Sequence, residues 1–112
     1  MASTRITDLE TSTFQKRPCY RYIRKADQMP TYEELGNVQI ARVKLFDPTG
    51  GWTWYIAAYD PDTRIAWGLV DGFEAELGDF SMEELVTRRG RFGLPLERDL
   101  HWMPRALCDA TS

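Results

Sequence analysis

The sequence has few of the residues on which metal sites and nucleophilic centres depend. It contains one histidine, His101, and two cysteines, Cys19 and Cys108, in 112 residues. The cysteines lie near opposite ends without CxxC spacing, which predicts two free thiols. The alternative is a disulfide between the two ends, against which a reducing cytoplasm argues. No GxxxxGK[ST], GxGxxG, GxSxG or HExxH pattern occurs, so the common nucleotide-binding, hydrolase and zinc-protease signatures are absent. We therefore expect no cofactor.

Long apolar segments and a strong positive charge are also missing. The longest apolar runs, such as residues 54–59, are too short to cross a bilayer, and the N-terminus is polar where a signal peptide needs an apolar stretch. The formal net charge of −3 lacks the basic excess of a dedicated nucleic-acid binder. These features predict a cytoplasmic protein without membrane contact, and they leave its oligomeric state open.

Charge is distributed unevenly along the chain. Residues 1–25 hold six basic and two acidic residues, whereas residues 26–112 hold eight basic and fifteen acidic residues. The first thirteen residues are also rich in serine and threonine, which is typical of disorder. We predict a disordered tail over residues 1–13, a basic and aromatic extension over residues 14–29, and a single α+β domain over residues 30–112.

Three β-rich runs, at residues 38–46, 52–59 and 64–70, are separated by short segments rich in turn formers. Such short connections permit antiparallel neighbours and exclude parallel crossovers. The alternation after residue 70 favours a fourth strand. The sequence therefore predicts an α+β fold, with an antiparallel β-meander of three to four strands and one helix packed on it.

The run at residues 52–59 has no polar face, which is typical of a central strand covered on both sides. Its period-two alternation predicts two sets of side chains on opposite faces: Trp52, Trp54, Ile56 and Ala58 on one, and Thr53, Tyr55, Ala57 and Tyr59 on the other.

Two segments carry helix N-terminal signals. Thr31 and Glu34 have the spacing of a capping box and predict a short helix. Ser81 and Glu84 repeat that spacing and predict a second helix, which Gly90 would end in the left-handed conformation.

Acidic and aromatic side chains provide the first candidate binding surface. An acidic run follows residue 70, and tryptophans crowd the two predicted strands before it. Acidic faces attract basic partners, and aromatic residues are favoured at interaction hot spots. The alternatives are a solvated acidic face and aromatic core packing. The predicted partner-binding residues are Asp71, Glu74, Glu76, Asp79, Trp52 and Trp54.

A second candidate site, suited to metal chemistry, lies near the C-terminus. If residues 96–102 form a strand, alternation directs Glu97, Asp99 and His101 to the same side. Two carboxylates and an imidazole are ligands suited to a divalent cation. The alternative is a solvent-exposed strand that shows this pattern by chance.

A third candidate is the basic extension, in which aromatic residues alternate with Arg17, Arg21, Arg24 and Lys25. Phosphate contacts from basic side chains combined with base stacking are what single-stranded nucleic acid requires. The five basic side chains of residues 14–25 supply only a modest electrostatic term, and no nucleic-acid-binding motif accompanies them.

Three ordered blocks carry a resemblance. They are WTWY at residues 52–55, GLVDGFEAELGDFS at residues 68–81 and GLPLERDL at residues 93–100. These blocks resemble a family of small bacterial proteins of unknown function that occur on plasmids, phages and other mobile elements. The resemblance implies no catalytic residue. Mobile elements often carry small proteins that inhibit host machinery, so it favours a binding role.

Our leading hypothesis is a non-enzymatic binding protein of a mobile genetic element that docks on a host protein or nucleoprotein complex, as anti-CRISPR inhibitors do. One alternative is a small metal-dependent nuclease or hydrolase. Another is an accessory protein that binds nucleic acid through the basic extension.

Overall fold

The computed structural model describes residues 8–11 and 21–111. In chain order the strands and α-helices are β1 (Asp8–Thr11), β2 (Arg21–Arg24), α1 (Tyr32–Leu35), β3 (Ile40–Ala41), β4 (Val43–Phe46), β5 (Thr53–Asp60), β6 (Ile65–Asp71), β7 (Ala75–Ser81), α2 (Met82–Thr87), β8 (Glu97–Arg98) and β9 (Arg105–Ala106). Short 3-10 turns follow β2, α2 and β9.

The main feature is a five-stranded antiparallel sheet in the order β7-β6-β5-β4-β8. Two further pairs, β1 with β2 and β3 with β9, are also antiparallel. The predicted α+β class and antiparallel pairing are confirmed. The predicted strand number was too small, because β8 returns from the C-terminal part of the chain and pairs with the free side of β4.

The turns of the meander follow from local side-chain chemistry. Asp47 Oδ1 accepts a hydrogen bond of 2.9 Å from the backbone N–H of Thr49, and Asp60 Oδ1 accepts one of the same length from Asp62. An aspartate that binds the backbone two residues later reverses the chain without a long loop. Consecutive strands from β4 to β6 therefore become neighbours.

The sheet is covered on both sides. The first face carries a core of Tyr22, Ile23, Val43, Leu45, Trp54, Ile56, Tyr59, Ala66, Met82, Leu85, Val86 and Leu96. The second face carries a smaller core of Leu35, Ala41, Tyr55, Ala57, Ala58, Leu107 and Ala110. Strand β5 contributes to both cores, which confirms the prediction of a central strand buried on both faces.

A β-bulge in β5 corrects the predicted division of its side chains. Ile56 pairs with Gly68 and Ala58 pairs with Trp67, so Ala57 is an extra residue without a partner across the ladder. One extra residue reverses the alternation beyond it. Ala58 therefore lies on the second face and Tyr59 on the first, opposite to the assignment from strict period two.

Both helix starts are confirmed. At α1 the Thr31 hydroxyl accepts from Glu34 N–H at 3.3 Å, and Glu34 Oε1 accepts from Thr31 N–H at 2.8 Å. At α2 the Ser81 hydroxyl accepts from Glu84 N–H at 3.2 Å.

The predicted end of the second helix was wrong. Helix α2 ends at Thr87, and Arg88 is already extended with φ −65° and ψ 135°. Gly90 has φ −90° and donates its N–H to the Leu94 carbonyl at 2.8 Å. A β-bridge between Arg89 and Pro95 draws the chain out of the helix, so a tertiary pairing overrides the local stop signal.

The N-terminal predictions are only partly covered. Residues 8–11, inside the predicted tail, form β1 and pair with β2. Residues 1–7 and 12–20 lie outside the described residues. No helix in the described part of the chain is long and apolar enough to cross a membrane.

Candidate docking surface at strand β7

Strand β7 is the longer of the two edges of the main sheet. Its seven residues pair with β6 on one side, and no described residue pairs with the other side in a strand ladder. Most of its residues are exposed or half-buried, and Leu77 is 58% exposed. An edge of this kind presents unpaired N–H and C=O groups that an extended segment can bind.

The register places the predicted acidic residues on two faces rather than one. Glu76 pairs with Val70 on the first face, and Asp79 pairs with Trp67 on the second. Glu74 lies in the exposed turn between β6 and β7, and Asp71 is half-buried at the end of β6. The acidic side chains therefore flank the open edge on both sides.

On the first face, Trp52 and Phe73 form a small aromatic pair beside β7. Their rings meet edge to face with centroids 5.5 Å apart, and Phe73 is 94% exposed. Together with Val70, Glu74 and Glu76 they line a shallow depression of about 260 Å³. An exposed aromatic ring next to two carboxylates provides apolar contact area and negative charge at the same place.

The two predicted tryptophans have different environments. Trp54 is 5% exposed and belongs to the core, so it is not available to a partner. Trp52 is half-buried, and its ring stacks on Trp54 with centroids 6.1 Å apart. The Arg88 guanidinium lies over both rings, at 5.9 Å from Trp52 and 5.2 Å from Trp54. These contacts hold Trp52 in place beneath Phe73.

The second face carries a groove that the sequence did not reveal. It is lined by Tyr32 and Trp67, whose ring centroids are 5.2 Å apart, and by the carboxylates of Glu33, Asp60 and Asp79. Its volume is about 560 Å³. Tyr32 comes from α1 and Asp79 from β7, so the groove exists only because α1 packs across the sheet next to the open edge. The alternation of side chains along β7 places Asp79 on this face, but no pattern in the sequence near Tyr32 predicts that its ring lines the groove.

The predicted metal ligands lie near one another without forming a metal site. Glu97, Asp99 and His101 line one open depression of about 510 Å³ beside β8. The strand ends at Arg98, and Asp99 then bends the chain by accepting the His101 N–H at 2.9 Å. Its other carboxylate oxygen is 3.6 Å from the Lys44 ammonium. Within residues 8–11 and 21–111, no group of three or more metal-binding side chains has suitable geometry.

The basic extension is described only in part. Arg17 and the side chain of Arg21 lie outside the described residues, while the backbone of Arg21 begins β2. Arg24 is half-buried, and its backbone N–H donates to Asp27 Oδ2 at 2.8 Å. Lys25 is exposed at the start of the following 3-10 turn. Strand β2 also packs Tyr22 and Ile23 into the first core, so this segment serves the fold as well.

Comparison with known proteins connects the chain to one family. No curated protein and no solved structure matches it. The family model described as protein of unknown function, DUF2958, matches residues 18–108, which include every element from β2 to β9. This match spans most of the sequence, and the chain therefore belongs to the DUF2958 family.

Proposed function

We propose that this chain is a non-enzymatic binding protein that docks through the β7 edge on a basic surface of a host protein. The single observation that carries the proposal is the open edge itself: a seven-residue strand without an outer partner among the described residues, flanked by Phe73, Glu74 and Glu76. Backbone pairing supplies affinity at such an edge, and the flanking side chains select the partner.

The resemblance to plasmid- and phage-borne proteins supports a narrower proposal. A small protein of a mobile element gains from inhibiting a host defence complex, and complexes that handle nucleic acid expose basic surfaces. An acidic edge strand is complementary to such a surface. The proposed partner is accordingly a basic protein subunit of a host nucleoprotein complex, as for anti-CRISPR inhibitors.

The enzyme alternative receives less support, because the Asp99 carboxylate is already engaged by Lys44 and by the His101 backbone. The nucleic-acid alternative depends on a basic extension that is described only in part. Neither alternative uses the open edge of β7.

The first test measures association with a purified partner, identified by capture from a bacterial host lysate and mass spectrometry. The variant Glu74→Lys/Glu76→Lys should associate about tenfold more slowly at low salt, because charge reversal removes electrostatic steering toward a basic surface. Surface plasmon resonance at two or more salt concentrations measures the rate.

The matched control is Glu83→Lys/Asp109→Lys, which makes the same change in net charge at exposed positions outside β7 and the turn before it. Equal slowing in both variants would show a bulk charge effect and contradict docking at β7.

An electrophoretic mobility shift that is salt-sensitive and is lost when Arg17, Arg21 and Arg24 are neutralised would instead favour nucleic-acid binding.

A further inference from the structure

The groove on the second face has a composition that points to one class of ligand. Two aromatic rings, Tyr32 and Trp67, stand beside three carboxylates, and no lysine or arginine is among the residues that line it. Tyr32 is 58% exposed, and Trp67 is half-buried. Aromatic surface of Tyr32 therefore stays accessible next to acidic side chains.

This combination favours a long cationic side chain over other ligands. Aromatic faces attract ammonium and guanidinium groups through the ring quadrupole, and the methylene stem of lysine or arginine packs on apolar surface. A purely apolar ligand would leave the Asp79 carboxylate desolvated without a partner. A divalent metal ion needs converging oxygen ligands, and the described residues form no such cluster.

The position of Asp79 connects the groove to the open edge. Asp79 lies on β7 and pairs with Trp67 across the β6–β7 ladder, so its side chain is on the second face. A strand added to the outer side of β7 would lie about 4.8 Å away and would direct every second side chain to that face. The side chain opposite Asp79 would come within about 5 Å of it, at the mouth of the groove.

We infer that the groove takes a lysine or arginine side chain from an extended segment of the partner that pairs with β7. This inference rests on the proposed docking at β7 and adds the chemical identity of the residue that is recognised. Charge complementarity identifies the occupant as a basic segment of another protein. A second copy of this chain fits poorly, because pairing of two β7 edges would bring two acidic edges together.

The test uses the full ¹⁵N-labelled chain and a blocked nine-residue peptide of alternating valine and lysine. Binding is expected to shift the backbone N–H signals of β7 together with the indole N–H signal of Trp67. The indole of Trp102 is an internal reference, because it donates to the Ala41 carbonyl at 3.2 Å and is not among the residues lining the groove. A peptide with glutamine in place of lysine should bind about tenfold more weakly.

Two variants test the groove directly. Asp79→Asn should weaken binding of the lysine peptide several-fold and leave binding of the glutamine peptide unchanged, because it removes charge at an exposed position. Glu83→Gln removes an exposed charge on α2 and should bind the lysine peptide like the unmodified chain. Unchanged affinity in Asp79→Asn would overturn the inference.

The results separate this inference from the proposed function. If β7 signals shift while the Trp67 indole does not, docking at the edge holds and the groove assignment is overturned. If neither responds to the peptide, yet Glu74→Lys/Glu76→Lys slows association with the captured partner, the groove assignment is again overturned. Concentration-dependent self-association that perturbs β7 would identify a second copy as the occupant and would also overturn it.

Discussion

The two edges of the main sheet are built in opposite ways. Strand β8 has two residues, and its Arg98 is tied to Asp27 by two hydrogen bonds of 2.7 and 2.8 Å. Arg98 also donates to the Tyr22 carbonyl at 3.1 Å, while the Tyr22 hydroxyl donates to the Leu96 carbonyl at 2.7 Å. Strand β7 has seven residues and no such cover among the described residues. Because long open edges invite pairing with other chains, the contrast supports the proposed docking at β7, whereas the contacts of β8 serve the stability of the fold.

Electrostatics reinforce the difference between the edges. Burial alone would raise the pKa of Asp27, but the hydrogen bonds from Arg98 and from the Arg24 N–H, together with the charges of both arginines, outweigh it. The pKa of Asp27 is therefore held below its ordinary value of 3.8. The acidic side chains of β7 have no such partner in the part of the chain that the structure describes, and both Glu76 and Asp79 are exposed.

The largest expected change in stability comes from a comparison of two paired glycines. One lies inside the sheet, and the other lies on its open edge. Gly68 in β6 pairs with Gly78 in β7. A Cβ on Gly68 would overlap the Tyr55 carbonyl oxygen next to the bulge, whereas a Cβ on Gly78 would meet nothing within 4 Å. Gly68→Ala should lower the free energy of unfolding by about 3 kcal/mol, because backbone must shift to admit the methyl group. Urea denaturation followed by circular dichroism measures the change.

Gly78→Ala is the matched control and should change the free energy of unfolding by less than about 0.5 kcal/mol. Equal losses in the two variants would contradict the view that β7 stands at an open edge.

The elements predicted correctly from the sequence have local causes. The Asx turns at Asp47 and Asp60 and the caps at Thr31 and Ser81 each depend on residues within three positions. The bulge at Ala57 depends instead on how β5 fits β6. The end of α2 and the pairing of β8 depend on contacts with distant parts of the chain. The period of the hydrophobic pattern and the chemistry of the turn residues contain no information about contacts between distant parts of the chain.

The candidate site was predictable only to the extent that it lies on one strand. The acidic run and Trp52 were identified from the pattern, and both contribute to the surface at β7. The division of Glu76 and Asp79 between two faces follows from the strand period, but the groove beside Asp79 needs Tyr32 from a helix 47 positions earlier. A site assembled by tertiary packing gives no signal in spacing alone.

An intermediate effect tests the closed edge. Asp27→Asn should lower the free energy of unfolding at pH 7 by about 2 kcal/mol, because it removes a charge-assisted pair whose side chains are 10% and 11% exposed. The folded pKa of Asp27 is depressed below the ordinary value of 3.8 that it takes in the unfolded chain, so its contribution is fully present above that value and is lost as pH falls through the folded pKa. The difference between the unmodified chain and the variant should therefore shrink below about pH 4.

Urea denaturation at several pH values between 3 and 7 checks this dependence. Glu76→Gln, on the open edge, serves as the control and should leave stability unchanged across the same range. A constant difference between Asp27→Asn and the unmodified chain at every pH would show that the loss comes from packing rather than from the ion pair.

The smallest effect is expected where the open edge ends. Ser81 is the last residue of β7 and the N-cap of α2, and its hydroxyl accepts the Glu84 N–H at 3.2 Å. Ser81→Ala should cost about 1 kcal/mol of unfolding free energy, because the N–H loses its acceptor at the helix start. Ser81→Asp restores an acceptor and adds favourable negative charge at the helix N-terminus, so it should recover the loss. Thermal unfolding of the unmodified chain and the two variants measures these differences in stability. An equal loss in both variants would mean that the Ser81 hydroxyl acts through the pairing of β7 with β6 rather than through the cap.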